Sequence, residues 1–96
     1  MDVIKSNIQT QTEEFRENQT HMTSLVAQLS ESLRLVRAST ENEAVRLHRS
    51  RGKLPVRERV RILLDPGAPF LEFSPLAAWE MYSGEDPGAG IVTGMG

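Results

Sequence analysis

The sequence predicts a mainly helical chain with short strands in its last third. Apolar residues recur at helical spacings between Phe15 and Val36. A second helical pattern begins at Pro55 and stops before Pro66, since a residue that precedes proline is disfavoured in the α conformation. Near the end, the segment 90–94 combines β-branched residues with flanking glycines, a pattern typical of a strand.

The first helix is predicted to begin at about Glu13 and to continue to Val36. Its apolar residues lie three, four or seven positions apart, with polar residues between them: Phe15, Met22, Leu25, Val26, Leu29, Leu33 and Val36. The pattern is too short to establish a coiled coil. We therefore expect the helix to pack on its own protein, with docking on a separate partner as the alternative. Residues 1–12 show no comparable pattern.

The second helix is predicted from Glu41 to about Ser50. Thr40 and Glu43 have the spacing of a capping box, in which each side chain bonds to the backbone N–H of the other. Gly52 follows at the position where a glycine commonly ends a helix.

The third helix is predicted to have Pro55 in its first turn, where the missing proline N–H costs nothing. Its apolar residues recur along one face: Val56, Val60, Leu63 and Leu64. We expect this face, including Leu63, to be buried and Arg61 to face solvent. A Pro66-Gly67 turn should follow, and then a short strand at Phe70–Phe73.

The last segment alternates between loop and strand patterns. Residues 75–82 fit a helical turn or a packed loop with Trp79 and Tyr82 as anchors, and 83–90 have loop composition. The strand at 90–94 needs hydrogen-bonded neighbours, because buried backbone groups must be paired. We expect those neighbours beyond Gly96 or on another chain.

Composition excludes several classes of function. The chain has 96 residues, 39% of them hydrophobic, and a formal net charge of −2, which gives no argument for binding to nucleic acid or to an anionic membrane, and we expect neither. It has no cysteine, so disulfides and thiolate metal sites are excluded. No apolar run has the length of a membrane span, and no signal or transit peptide is recognisable.

Positive charge is concentrated in the middle of the chain. Residues 41–61 carry seven basic and three acidic side chains, whereas 62–96 carry five acidic and no basic ones. The basic residues are Arg46, Arg49, Arg51, Lys53, Arg57, Arg59 and Arg61. They are candidates for phosphate binding, and the alternative is that they pair with acidic residues such as Glu58 or those of the last third.

Other candidate sites are weaker. The glycine pairs 88/90 and 94/96 suggest a phosphate loop, but Thr93 stands where the first pair would need its third glycine, so we expect turns or bulges. His21 and His48 have no ligand-type partner at metal spacing, and we predict no metal site. No residue pattern suggests a catalytic nucleophile, and Glu72 is expected to be a surface or capping charge.

Several short motifs from Arg51 onward resemble the opening part of a known enzyme family in order and spacing. They are Arg51-Gly-Lys-Leu, Arg57-Glu-Arg-Val, Leu63-Leu-Asp-Pro-Gly, Pro69-Phe-Leu-Glu, Ser74-Pro-Leu-Ala-Ala, Met81-Tyr and Pro87-Gly-Ala-Gly-Ile-Val-Thr-Gly. Together they resemble the carboxyltransferase (β) subunits of biotin-dependent acyl-CoA carboxylases, in particular those of the methylcrotonoyl-CoA type. The resemblance covers about 15–96, and such subunits are several times longer. Departures occur at Ala38-Ser-Thr40, Pro55 and Met95.

The resemblance implies a crotonase-like α/β fold in the parent protein. Residues 1–50 would then be N-terminal amphipathic helices, and 51–96 the start of the CoA carboxyltransferase N-terminal domain, truncated at Gly96. The parent would move a carboxyl group from carboxybiotin to an acyl-CoA, with 3-methylcrotonoyl-CoA of leucine degradation as the expected acceptor. Family members use backbone oxyanion holes that lie downstream of Gly96, so no catalytic residue is assigned here and the chain alone is expected to be inactive.

The resemblance also implies cofactors and partners. Biotin would be carried by a partner biotin carboxylase or biotin carrier subunit, which would use ATP and bicarbonate, and the carboxyltransferase subunits are expected to form a homo-oligomer. Coenzyme A carries several phosphates, and Arg51, Lys53 and Arg57 are the candidates to contact them. The expected compartment is the bacterial cytoplasm, with the mitochondrial matrix as the alternative.

Other functions stay open at this point. The chain is alternatively a helical interaction module without catalysis, which accounts for the first helix but not for the motifs after Arg51. It is alternatively the front of a nucleotide-binding α/β enzyme, which would require another glycine beyond Gly96. Within the carboxylase family, propionyl-, acetyl- or geranoyl-CoA are alternative substrates.

Overall fold

The structure, a computed structural model, describes residues 1–38, 42–84 and 86–96. Three helices precede two short strands, which confirms the mainly helical character predicted for this chain. The elements are α1 (Glu13–Arg37), α2 (Glu43–Ser50), α3 (Val56–Leu63), β1 (Leu71–Phe73), a 3-10 turn (Tyr82–Gly84) and β2 (Thr93–Met95). The chain forms two compact units, residues 1–31 and residues 32–96. The predicted domain boundary between residues 50 and 51 concerns the parent protein and stays a prediction.

Helix α1 begins at Glu13, as predicted. The hydroxyl of Thr12 accepts a hydrogen bond from the backbone N–H of Phe15 at 3.2 Å, so it satisfies one of the N–H groups that a helix start leaves without a partner. Glu13 and Glu14 occupy the first turn and Arg37 the last, a distribution that suits the helix dipole. Residues 1–12 contain no helix or strand, and no helix among the described residues is both long and apolar enough to cross a membrane.

Helix α2 has local caps at both ends. Asn42 is the N-cap, and its side chain accepts a hydrogen bond from the backbone N–H of Val45 at 2.9 Å. The predicted start at Glu41 and the capping role of Thr40 lie outside the described residues. At the other end Gly52 has a φ of 74°, and its N–H donates to the carbonyl of Arg49 at 2.9 Å. The predicted glycine stop is therefore confirmed.

Helix α3 differs from prediction at both ends. Pro55 is the N-cap and not a first-turn residue, since its ψ of 149° is extended. The expectation that Leu63 is buried is wrong, because its side chain is 84% exposed. Leu64 is the C-cap, and its backbone is extended with a ψ of 149°. Leu64 then lies beside the end of the chain, where a Cβ on Gly96 would stand 2.7 Å from its methyl group.

The turn after α3 forms as predicted, and it leads into a strand pair. Gly67 has a φ of 78°, and the N–H of Ala68 donates to the carbonyl of Asp65 at 3.0 Å, which are the features of a type II turn. Strand β1 then pairs antiparallel with β2 in the register Leu71↔Met95, Glu72↔Gly94 and Phe73↔Thr93. The prediction that the last strand has no neighbour within the chain is therefore wrong, and the strand covers 93–95 instead of 90–94.

The segment between the strands is tied to itself by backbone hydrogen bonds. Ala78 is 2% exposed, and its N–H donates to the carbonyl of Pro87 at 2.9 Å, so the loop folds back and brings β2 to β1. Trp79 is half-buried, in agreement with its predicted anchoring role. Tyr82 is 68% exposed, so the same prediction for Tyr82 is wrong. Tyr82 has a left-handed φ of 51°.

We expect Gly94→Ala to open the strand pair while Gly88→Ala leaves it intact. A Cβ on Gly94 would overlap the carbonyl oxygen of Leu71 and stand 2.5 Å from the ring of Phe70, whereas a Cβ on Gly88 would meet nothing closer than 3.7 Å. Overpacking of this kind destabilises by about 1–3 kcal/mol. Hydrogen exchange at the amides of β1 and β2 measures the effect. Equal exchange rates in the two variants would contradict the close approach at Gly94.

Candidate functional site

The candidate site is the basic segment, which we define as residues 46–61. It contains the second half of α2, the connection 51–55 and most of α3. Its seven basic side chains separate into two groups in the structure. Two of them form close ion pairs with acidic side chains, and the others line the outer surface.

An ion pair joins α2 to α3. The guanidinium of Arg49 donates two hydrogen bonds to the carboxylate of Glu58, with N–O distances of 3.1 and 2.5 Å. This bidentate geometry is the strongest form of an arginine–carboxylate contact. The hydrogen bond from Arg49 lowers the pKa of Glu58 against a smaller opposing effect of burial, and the positive charges of Arg49 and Arg61 lower it further. Arg49 therefore pairs with Glu58. This agrees with the alternative expectation, in which basic residues of this segment pair with acidic side chains instead of binding phosphate.

A second ion pair is more deeply buried and joins α3 to β1. Arg57 donates two hydrogen bonds to the carboxylate of Glu72, at 2.9 and 2.7 Å. Arg37, the last residue of α1, adds a contact to the same carboxylate at 3.5 Å. The Glu72 side chain is only 5% exposed, so the expectation of a surface charge is wrong. The sequence did not indicate this ion pair, because Glu72 lies 15 residues from Arg57 along the chain.

The environment of Glu72 favours its charged form. The hydrogen bond from Arg57 lowers its pKa below the ordinary value of 4.5, and burial opposes this change. The charges of Arg57 and Arg37 add to the lowering. Glu72 is therefore an ionised, buried carboxylate that holds two arginines in place.

Arg51 and Lys53 lie on the connection between α2 and α3. Arg51 is the C-cap of α2, and the N–H of Lys53 donates to the carbonyl of His48 at 3.2 Å, which fixes the backbone of the connection. Both side chains are exposed, and neither forms an ion pair with the residues that the structure describes. Of the three predicted phosphate contacts, Arg51 and Lys53 thus remain available to an anion, whereas Arg57 has two of its donors committed to Glu72.

The start of α3 adds backbone donors next to these cations. Its N-cap is Pro55, which makes no side-chain capping hydrogen bond. The first N–H groups of a helix have no partner within the helix and carry partial positive charge. Lys53 precedes this helix start by three residues. The arrangement can accept an anionic oxygen from solvent, which is the chemistry that a phosphate group requires.

The weaker candidates have structural roles or no visible partner. His48 lies near the carbonyl of Leu54 at 3.2 Å, where it holds the connection after α2. Gly90 donates its N–H to the side chain of Asp86 at 2.9 Å and has a φ of 69°, so the turn role predicted for the first glycine pair is confirmed. In the part of the chain that the structure describes, no three histidine or acidic side chains come together as a metal site.

The structure also contains an apolar cleft that the sequence did not indicate. Its volume is about 960 Å³, and it lies within residues 32–96. The lining residues are Leu35, Asn42, Glu43, Ala44, Leu47, Trp79, Glu80, Gly84 and Pro87. The half-buried Trp79 is the one lining residue that sequence reasoning had marked as an anchor.

Comparison with known proteins identifies the relatives of this chain. No protein-family model matches it. It is 56% identical over 72 residues, 75% of its length, to the biotin-dependent 3-methylcrotonyl-coenzyme A carboxylase beta1 subunit of Mycobacterium tuberculosis. It is 40% and 44% identical, over 99% of its length, to the mitochondrial methylcrotonoyl-CoA carboxylase beta chain of Dictyostelium discoideum and to a probable one of Drosophila melanogaster. The chain spans only 14%, 16% and 17% of these three relatives.

These relatives are all β subunits of carboxylases that act on a coenzyme A thioester. The class of protein inferred from the motifs after Arg51 is therefore confirmed. More specifically, the chain belongs to the methylcrotonoyl-CoA carboxylase β subunits, of which it is an N-terminal part.

Replacement of Glu72 by Gln should lower stability at neutral pH and flatten its pH dependence in acid. Because folding lowers the pKa of Glu72, its stabilising effect is present above 4.5 and is lost as the pH falls through the lower folded-state value. We expect a loss of about 2 kcal/mol at pH 7, the usual size for hydrogen bonds to a charged group. Urea unfolding of the full-length subunit over a pH series measures this.

Glu80→Gln is the matched control, since Glu80 is exposed. It should leave the free energy of unfolding and its pH profile close to those of the unchanged protein. If Glu72→Gln and Glu80→Gln behave alike, the Glu72 cluster does not stabilise the fold.

Proposed function

We propose that the parent of this chain is the carboxyltransferase subunit of a biotin-dependent acyl-CoA carboxylase, with 3-methylcrotonoyl-CoA as acceptor. The observation that carries this proposal is the 56% identity over 72 residues to a subunit named for that reaction. The chain spans about a sixth of the length of its relatives, so the activity of the whole protein is inferred from similarity.

The proposed reaction defines partners and cofactors. Carboxybiotin supplies the carboxyl group, and a separate biotin carboxylase or carrier subunit bears the biotin and uses ATP and bicarbonate. Carboxyltransferase subunits form a homo-oligomer with a crotonase-like fold, in the bacterial cytoplasm or, alternatively, the mitochondrial matrix. We assign no catalytic residue to this chain, because the resemblance places the backbone oxyanion holes of the family downstream of Gly96. The substrate test is carboxylation by the full-length subunit with its biotinylated partner, and faster turnover of propionyl-, acetyl- or geranoyl-CoA would overturn the assignment.

We place the phosphates of coenzyme A at the basic segment. Arg51 and Lys53 support this placement, because both are exposed cations without an ion pair among the described residues. The uncapped start of α3 follows them and offers backbone N–H groups. Arg57 is the third proposed contact, and Glu72 holds it at the first turn of the same helix. Its remaining donors are the ones that a phosphate would engage.

Arg51→Ala and Lys53→Ala should each raise KM for acyl-CoA in the full-length enzyme with little change in kcat. A phosphate contact is made in both the ground state and the transition state, so its loss weakens binding without slowing the chemical step. Loss of one charge-assisted contact of about 1.4 kcal/mol corresponds to about tenfold in KM. Steady-state kinetics with acyl-CoA and with truncated analogues that lack the nucleotide phosphates measure this.

Arg61→Gln is the control for general loss of positive charge, since Arg61 is exposed on α3. The two alanine variants should discriminate less than the unchanged enzyme between full and truncated substrates. An unchanged KM in the Arg51→Ala and Lys53→Ala variants would contradict a phosphate contact at these two residues.

The 96-residue chain alone should have no carboxyltransferase activity and should not unfold cooperatively. Ala78 is its one fully buried apolar residue among those described, and large apolar side chains such as Leu63 stay exposed. A two-stranded sheet is marginal without further packing. Circular dichroism should show helix that melts broadly, and assays with a biotinylated partner should give background rates. A sharp two-state melt of a monomer, or turnover above background, would contradict this expectation.

A further inference from the structure

The connection between α2 and α3 is held in a defined conformation by backbone hydrogen bonds to α2. Gly52 donates its N–H to the carbonyl of Arg49 at 2.9 Å. Lys53 donates its N–H to the carbonyl of His48 at 3.2 Å. Gly52 has a φ of 74°, which allows the chain to leave α2 through the left-handed conformation. The backbone up to Lys53 is therefore fixed by the helix that precedes it.

Side-chain contacts fix the other end of the connection. The Nε2 atom of His48 lies 3.2 Å from the carbonyl oxygen of Leu54. The bidentate ion pair between Arg49 and Glu58 joins the last turn of α2 to the first turn of α3. Both contacts begin on α2 and end just before α3 or within its first turn. Together they hold the two ends of the connection 51–55 beside each other.

We propose that the Arg49–Glu58 ion pair is a positioning contact for acyl-CoA binding. It holds the connection that carries Arg51 and Lys53 in place for the nucleotide phosphates, and it makes no contact with the substrate itself. This inference rests on the proposed function, because it takes these two cations as the phosphate contacts. A loop that is already in its binding conformation loses less conformational entropy when the ligand arrives, so affinity is gained without an additional contact.

The charge of Glu58 makes this role separable from simple electrostatics. Glu58 is the only acidic residue between positions 44 and 61. A negative charge near an anion-binding site repels the ligand, so its removal alone should lower KM. Loss of the positioning contact should raise KM, because the connection becomes mobile. The two effects have opposite signs, and the direction of the change in a Glu58→Gln variant shows which one dominates.

Steady-state kinetics of Glu58→Gln in the full-length enzyme, with its biotinylated partner, test the proposal. We expect KM for acyl-CoA to rise about three- to tenfold, the size of the cost of ordering one or two side chains, with little change in kcat. The rise should be absent with truncated analogues that lack the nucleotide phosphates. Asp65→Asn is the matched control, since it removes one negative charge at an exposed position after α3 and should leave KM unchanged.

Two kinetic outcomes would overturn the positioning role. An unchanged or lower KM in Glu58→Gln would show that Glu58 affects the ligand through its charge alone or not at all. An equal rise in KM for full and truncated substrates would show that the effect does not pass through the phosphate contacts.

A double-mutant cycle tests whether Arg49 and Glu58 act as a pair. Arg49→Gln should also raise KM. The variant with both substitutions should raise it by less than the product of the two single effects, because the second substitution removes a contact that is already lost. A rise equal to that product would mean that the two residues act independently, and it would contradict the proposal.

Hydrogen exchange at the connection gives a readout that does not depend on activity. In the full-length subunit, the amides of Gly52 and Lys53 should exchange faster in Glu58→Gln, because the ends of the connection are no longer held together. Asp65→Asn should leave their exchange rates unchanged. If Glu58→Gln also leaves them unchanged, the ion pair does not hold the connection and the proposal is wrong.

The kinetic results also separate failure of this proposal from failure of the phosphate placement. If Arg51→Ala and Lys53→Ala raise KM but Glu58→Gln does not, the placement stands and the positioning role is wrong. If none of the three raises KM, the placement itself is wrong and the positioning role falls with it. A loss of kcat together with cooperative unfolding in Glu58→Gln would show that Glu58 supports the whole fold, and it would rule out a role confined to the connection.

Discussion

The buried carboxylate of Glu72 is the interaction that joins the elements of residues 32–96. It lies on β1 and binds Arg57 of α3 and Arg37 at the end of α1. A carboxylate that is 5% exposed would strongly destabilise the fold if it had no partner, so the folded chain must bring these arginines to the strand. Glu72 stands opposite Gly94 in the sheet register, and the close approach that Gly94 permits keeps β2 beside this residue.

Ion pairing also decides which cations of the basic segment are free for a ligand. Arg49 and Arg57 are committed to Glu58 and Glu72, and these pairs hold α2, α3 and β1 together. Arg51 and Lys53 remain exposed on the connection. A cluster of basic residues in a sequence thus contains two populations with different tasks. The two groups of cations differ in whether they have an acidic partner, and one such partner, Glu72, lies 15 residues from its arginine, Arg57.

The apolar surfaces of the chain exceed what its own elements cover. Ala78 is the fully buried apolar residue of the described chain, whereas one face of α1 and the walls of the cleft near Trp79 remain accessible. A chain of this size needs a larger core for independent stability. The pattern fits a segment whose faces are completed by other parts of its protein or by further copies. Local hydrogen bonds and ion pairs hold the helices and strands of this chain in place.

Features governed by neighbouring residues followed from the sequence. The start of α1 at Glu13, the stop at Gly52 and the Pro66-Gly67 turn depend on caps and φ preferences within a few residues, and the structure confirms them. The family, too, could be identified from short motifs, and the identities to the relatives confirm it. The catalytic groups and the phosphate contacts of the parent stay predictions.

Burial and pairing were decided by tertiary contacts. Sequence periodicity predicted a buried Leu63 and an exposed Glu72, and both predictions are wrong. Helical spacing shows which residues share a face, but only the elements that fold back onto the helix determine which part of that face is covered. The pairing of β1 with β2 likewise depends on the loop that the hydrogen bond from Ala78 to Pro87 closes. Such contacts join residues far apart along the chain, where local preferences carry no information about which groups will meet.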